Sequence, residues 1–206
     1  MAGSDAAYLT GVTGPQPVPF LYLGAKHMVT GYDHLLFLVG VIFFLWRLKD
    51  VALYVTLFSV GHSLTLLGGV LFGVRADAFL VDALIGLSVV YKAFDNLGGF
   101  KTLFGFQPDA RAAVLGFGLV HGFGLATKLQ ELRLAKDGLL ANLVSFNVGV
   151  ELGQFCALAL ILVAMQWWRK APGFNRQAVA ANGVLMAAGF VLILYQLAGY
   201  FAQGRA

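Results

Sequence analysis

Hydrophobic and polar positions alternate along this chain in long blocks, not residue by residue. Six apolar runs stand between short polar stretches: Phe20–Trp46, Val51–Val74, Ala78–Leu97, Ala112–Thr127, Gly138–Trp168 and Ala178–Ala202. A helix needs about 20 mainly apolar residues to cross a bilayer. By that measure the fourth run is short, and the fifth is long enough to tilt or to begin outside the hydrocarbon. Gly24 and Gly31 interrupt the first run, so its front half is expected to be interfacial or re-entrant. The pattern predicts an all-α fold, a polytopic transmembrane helix bundle of six spans, or seven if the first run is split. Residues 20–206 form a single transmembrane helical domain in this reading, and 1–19, polar and containing Pro and Gly, a flexible N-terminal lead. No internal repeat is visible. Glycines gather inside the runs (Gly61, Gly68 and Gly69; Gly116, Gly118, Gly122 and Gly124; Gly149 and Gly153). That placement suits close helix–helix approach where lipid supplies no hydrophobic drive.

Composition strengthens the membrane assignment. The chain is 59% hydrophobic and only 12% charged, about half the charged fraction of a soluble domain, and its mean hydropathy is +0.80. The net charge of +4 is spread over short loops, which points to membrane topology and away from nucleic acid. Residues 1–19 lack the basic region and apolar core of a signal peptide. A lone Cys156 excludes an internal disulfide. Lys/Arg residues number seven on one side (Arg47, Lys49, Lys101, Arg111, Arg169, Lys170, Arg176). The other side has five (Arg75, Lys128, Arg133, Lys136, Arg205), or six with Lys26. The positive-inside rule then places both termini outside, with Trp167 and Trp168 as an inner interfacial anchor.

The chemistry lies in polar residues within the apolar runs. All four histidines (His27, His34, His62, His121) are inside or at the mouth of a run. His27, Asp33 and His34 form a His-x5-Asp-His element. On one helix the two histidines would share a face; with a helix starting at Gly31, His27 would fold back toward Asp33. At ~1.5 Å per residue His34 lies about 20 Å below the start of its span and His62 about 17 Å from the end of its own. His121 and Glu151 are also expected near mid-bilayer. Asn147, Glu151 and Gln154 follow i, i+4, i+7 and predict one polar stripe.

An aspartate at mid-helix in hydrocarbon costs roughly 2.5–3.5 kcal/mol on insertion scales, so such residues are functional candidates. The candidate metal set is His27, Asp33, His34, His62, His121 and Glu151, with Ser59, Asp82, Asn147 and Gln154 as supporting polar groups. Bland alternatives stand beside it. His27 could snorkel to headgroups, and His62, with Ser59, Ser63 and Thr65, could be interhelical hydrogen-bond glue. His121 could simply pack between glycines, and Asn147 and Gln154 could be glue. Asp82 is expected to pair with Arg75, and Lys92 with Asp95. Nitrogen and oxygen donors without convergent thiolates favour nickel, zinc or cobalt over Cu(I). Gly-x4-Gly-Lys, Gly-x-Ser-x-Gly and Cys-x-x-Cys are all absent, which argues against an ATP-driven pump, a serine hydrolase and a thiol redox site.

The run Gly24-x-x-His27-x-x-x-Gly31-x-Asp33-His34-Leu-Leu-Phe-Leu resembles the opening motif of the HupE/UreJ membrane proteins. Gly118-Leu-Val-His121-Gly-Phe-Gly-Leu-Ala and Phe146-Asn-Val-Gly-Val-Glu151-Leu-Gly-Gln154 resemble later motifs of that family's second branch. The resemblance covers about Phe20 to Trp168. It implies an association with hydrogenase and urease operons, and nickel uptake by a small secondary permease in which His27, Asp33 and His34 take part in transport. The expected function is therefore a secondary permease for a divalent transition metal, nickel by analogy with the family, carried as substrate. Its partners would be the metal ion and the lipid bilayer, with a homo-oligomer left open. The rival expectation is an intramembrane zinc-dependent hydrolase with a lipid-like substrate, in which three histidines hold zinc and Asp33 or Glu151 is the general base. A third is an accessory membrane subunit whose histidines bind a partner's cofactor.

Overall fold

The computed structural model of the chain describes residues 9, 11, 13–131 and 135–204. Arg133 and Arg205, two cations of the loop-charge tally, lie outside them. Among the described residues all regular structure is helical: α1 Pro17–Thr30, α2 Tyr32–Ile42, α3 Leu48–Phe72, α4 Ala78–Asn96, α5 Gly99–Phe104, α6 Ala110–Glu131, α7 Leu139–Arg169 and α8 Phe174–Gln203. Helices α3, α6, α7 and α8 are long and apolar enough to cross a membrane. The other two expected spans fall short of that measure for local reasons. Asp82, Lys92 and Asp95 charge α4, and the first apolar run is not one helix but two.

The break is at Gly31, not at Gly24. Pro17 opens α1 at a first-turn position where proline's fixed φ and missing N–H cost nothing. The helix stops where Gly31 turns extended (φ −77°, ψ 92°) and donates its N–H to the His27 carbonyl. The Gly31 carbonyl then accepts from Leu35 N at 3.1 Å and starts α2. Gly24 has a different duty, since a Cβ there would run into the backbone of Phe146 on α7.

Glycine-mediated contacts pair the long helices. Gly149 lies on the backbone of Leu21 and Ala25 and Gly153 on Ala25, so α1 and α7 run parallel. Gly61 lies on Leu115–Leu119 and Gly69 on Ala126, so α3 and α6 are parallel too. Gly189 meets Val90 and Gly199 meets Phe79, which makes α4 and α8 antiparallel. These three pairs hold the most extensive contacts in the fold, and α4 joins them by touching both α6 and α2. The glycine clusters expected to permit close approach do so at Gly61, Gly69, Gly118, Gly122, Gly149 and Gly153, whereas Gly116 faces open space.

Polar contacts fix the ends of the broken helix. At the front, Gln16 N donates to Asn142 Oδ1 (2.6 Å) and Asn142 Nδ2 donates to the Gly14 carbonyl (3.1 Å). Leu9 is buried in the main apolar core. Leu9, Gly14 and Gln16 are therefore tied to the bundle, while Gly11, Thr13, Pro15, Pro17 and Val18 of the lead are exposed; residues 1–8, 10 and 12 lie outside the description. At the far end, the Arg169 guanidinium donates to the carbonyls of Ile42 (2.6 Å), Phe43 (2.7 Å) and Leu45 (2.9 Å). It also stands 4.7 Å from the Trp46 ring. A cation thus satisfies the last carbonyls of α2, at the end where the helix dipole favours positive charge. Asn96 Nδ2 links α2 to α8 by donating to the Gly40 carbonyl (2.8 Å) and to Asn182 Oδ1 (2.9 Å).

Candidate metal centre

The break at Gly31 creates the centre. His27 occupies the last turn of α1, and Asp33 and His34 the first turn of α2. Asp33 Oδ1 accepts both the His34 backbone N–H and the His34 Nδ1–H, each at 2.9 Å. An ionised carboxylate can only accept, so this contact puts the proton of neutral His34 on Nδ1 and turns the lone pair of Nε2 into the core. A Cβ at Gly31 would stand 3.1 Å from His34 Nδ1 and 3.2 Å from Asp33 Oδ1, tighter than ordinary contact.

His34 is the hub of the four imidazoles. Its ring centroid lies 4.7 Å from His121, 5.3 Å from His27 and 5.7 Å from His62. The four rings arrive from four helices, α1, α2, α3 and α6. Phe58 packs on His121 (5.2 Å), Phe37 on the same ring (5.3 Å), and Phe146 on His27 (6.0 Å). Inside this aromatic sheath five ring nitrogens are buried with no hydrogen-bond partner of ordinary geometry among the described residues: His27 Nε2, His34 Nε2, both nitrogens of His62, and His121 Nδ1. Each buried, unsatisfied polar atom costs about 1–3 kcal/mol. Five together approach the net stability of a whole domain. Core packing alone gives no return for such a cost, whereas a ligand that takes the one lone pair each neutral ring carries does, at up to four of the five, one His62 nitrogen holding that ring's proton.

The donors are gathered as a chain around one ring, not as a finished cage. Among the described residues no three His, Cys, Asp or Glu side chains already stand in the geometry that closes on one ion.

Glu151 does not join them. The stripe expected from Asn147, Glu151 and Gln154 is divided by how α7 sits. Its inward arc carries Leu143, Phe146, Val150, Gln154 and Leu158, while Glu151 is exposed. At about 100° per residue Glu151 lies just past the edge of that arc. Asn147 and Gln154 serve as interhelical glue to α3: Asn147 Nδ2 donates to Ser63 Oγ (2.6 Å), and Ser59 Oγ donates to Gln154 Oε1 (3.3 Å). Glu151→Gln should therefore leave metal binding by the histidine cluster unchanged; metal titrations of the two proteins in detergent check this.

One further expectation is revised, and two of the bland alternatives are set aside. Asp82 pairs not with Arg75 but with Lys128 on α6, at 2.7 Å from Oδ2 and 3.0 Å from Oδ1. Thr65 supplies the glue between α3 and α6, donating to the Leu119 carbonyl at 2.6 Å, while neither ring nitrogen of His62 has a hydrogen bond of ordinary geometry among the described residues. His27 does not snorkel, because its Nε2 is buried against the other rings. Lys92 and Asp95 do pair, at 2.6 Å. Sequence reasoning passed over Ser88, whose Oγ is 3.0 Å from His121 Nε2. It is the only hydroxyl between Asp82 and Tyr91 in the third apolar run, and that isolation was its one signal.

The HupE / UreJ protein family model matches residues 4–204, nearly the whole chain. The chain belongs to the HupE/UreJ family. No curated protein and no solved structure matches it. Membership and the apolar helices together make this an integral membrane protein with a general role in metal transport or metal supply. The histidine cluster of this HupE/UreJ protein is built on the same opening motif, His27-x5-Asp33-His34, that carries the family resemblance. The apolar groove of about 450 Å³ between α3 and α7, lined by Val51, Val55, Phe155 and Leu162 among others, has no histidine in its wall.

Proposed function

We propose that this HupE/UreJ protein is a secondary permease for a divalent transition metal, nickel by family analogy, in a bacterial inner membrane. The observation that carries the reading is the chain of partnerless ring nitrogens centred on His34 in an otherwise apolar core. A path for ions needs donors good enough to replace hydration water and weak enough to release the cargo. Imidazoles spread around a hub meet that requirement better than a closed chelate. The discontinuous α1–α2 segment adds to it, since half-helix ends at mid-membrane are a recurrent way to bind ions in transporters. The carbonyl end of α1, where His27 sits, is the end whose dipole favours a cation.

In this mechanism α1–α2, α3, α4, α6, α7 and α8 make six crossings, with both termini outside. His27, at the end of α1, is the first imidazole of the cluster to take the ion. His34, its tautomer set by Asp33, receives the ion with His62 and His121. Rocking of the glycine-packed pairs then opens the far side. The membrane potential drives entry.

Proteoliposomes loaded with buffer and given an inside-negative potential test this reading. One divalent charge crossing 100 mV gains about 4.6 kcal/mol, twice the single-charge value, which supports a gradient of more than a thousandfold. Lumenal nickel should accumulate and should collapse when the potential is dissipated. Tightly held stoichiometric zinc with no flux of any divalent ion would sink the permease and favour the hydrolase.

A further inference from the structure

We propose that Ser88 is a positioning residue that locks His121 into the tautomer whose Nδ1 lone pair faces the other histidines, an inference that rests on the permease reading for its purpose but not for its geometry. Ser88 Oγ has a single hydrogen. It is directed to the Ile85 carbonyl at 2.6 Å, an acceptor that can take nothing else from it. Toward His121 Nε2, 3.0 Å away, Ser88 can therefore only accept. The imidazole must supply the proton, so neutral His121 carries its hydrogen on Nε2 and its lone pair on Nδ1. Nδ1 is the nitrogen that is buried without a partner.

Both residues are fully enclosed, at 0% exposure, so water does not compete for the contact. The effect matches that of Asp33 on His34, with the ring turned round: Asp33 frees Nε2 of His34, and Ser88 frees Nδ1 of His121. Two adjoining rings thus present lone pairs because two supporting acceptors occupy the opposite nitrogens. The same geometry rules Ser88 out as a nucleophile activated by His121, because a protonated Nε2 cannot act as its base.

The full-length protein in detergent, with 15N-labelled histidine, gives the test. His121 resonances are assigned by their loss in His121→Gln. Metal-free wild type should show a pyrrole-like Nε2 and a pyridine-like Nδ1 for His121. Ser88→Ala should mix the tautomers and weaken Ni²⁺ binding by roughly 10–100-fold, the usual effect of losing a supporting partner. Ser88→Thr, which keeps the hydroxyl, should restore both. Ser88→Cys, a weak acceptor of similar volume, gives the same comparison if Ser88→Ala folds poorly. A wild-type His121 protonated on Nδ1, or a Ser88→Ala protein with unchanged tautomer and affinity, overturns the proposal. Wild type that fails to bind Ni²⁺ or any other divalent metal overturns the permease reading instead, and the tautomer spectra still decide the role of Ser88.

Discussion

His34→Ala is expected to abolish metal uptake at every metal concentration while the protein still inserts and purifies as a single species. His34 is the ring through which the other three meet, within 4.7–5.7 Å of each. Without it His27 on α1 is cut off from His62 and His121, and Asp33 loses the imidazole it orients. The loss should exceed the roughly 10–100-fold that follows removal of a supporting group, because a donor itself is gone. His27→Ala should behave differently. The first ligand an incoming ion meets matters most when metal is scarce, so uptake should fall at low concentration and recover toward saturation. Concentration series in proteoliposomes separate the two patterns. Uptake by His34→Ala at wild-type rate would mean that the imidazole cluster is not on the path.

Gly122→Val should be among the most damaging single changes in the helix packing. A Cβ at position 122 would collide with the His62 carbonyl and come within 2.5 Å of Thr65 Oγ1. The obstacle is backbone, which cannot rotate aside, so α6 must move off α3. That movement breaks the Thr65–Leu119 bond and shifts His121, next in sequence, away from His34. Overpacking of this kind costs about 1–3 kcal/mol even where side chains can yield, and here they cannot. A lowered melting temperature in detergent and lost uptake should appear together. Gly116→Val is the matched control, on the same helix with nothing within 4 Å of the added carbon, and should melt like wild type. Equal melting of the two variants would show that α3 and α6 do not pack as described.

The sequence by itself determined the helical, membrane-embedded character of the protein. That information is one-dimensional: runs of apolar residues long enough to span, and charges confined between them. It also singled out the histidines, because an ionisable residue in an apolar run is conspicuous wherever the helix later goes. The break at Gly31 was half legible, since Gly24 and Gly31 look alike as letters; which one interrupts the helix depends on whether a neighbour's backbone presses against it. Only the tertiary structure decided which polar residues meet. Asn147, Glu151 and Gln154 share a stripe by period, yet the edge of the buried arc on α7 falls between them, and that edge is set by where α1 and α3 lie. Asp82 has a cation seven residues before it in sequence, but its partner Lys128 comes from another helix. Ser88 is one hydroxyl among aliphatic residues until the packing of α4 against α6 brings it to His121 Nε2. Spacing along a chain specifies what can share a helical face, whereas contact between faces is a property of several helices at once, and the tautomers of the central histidines are set at those contacts.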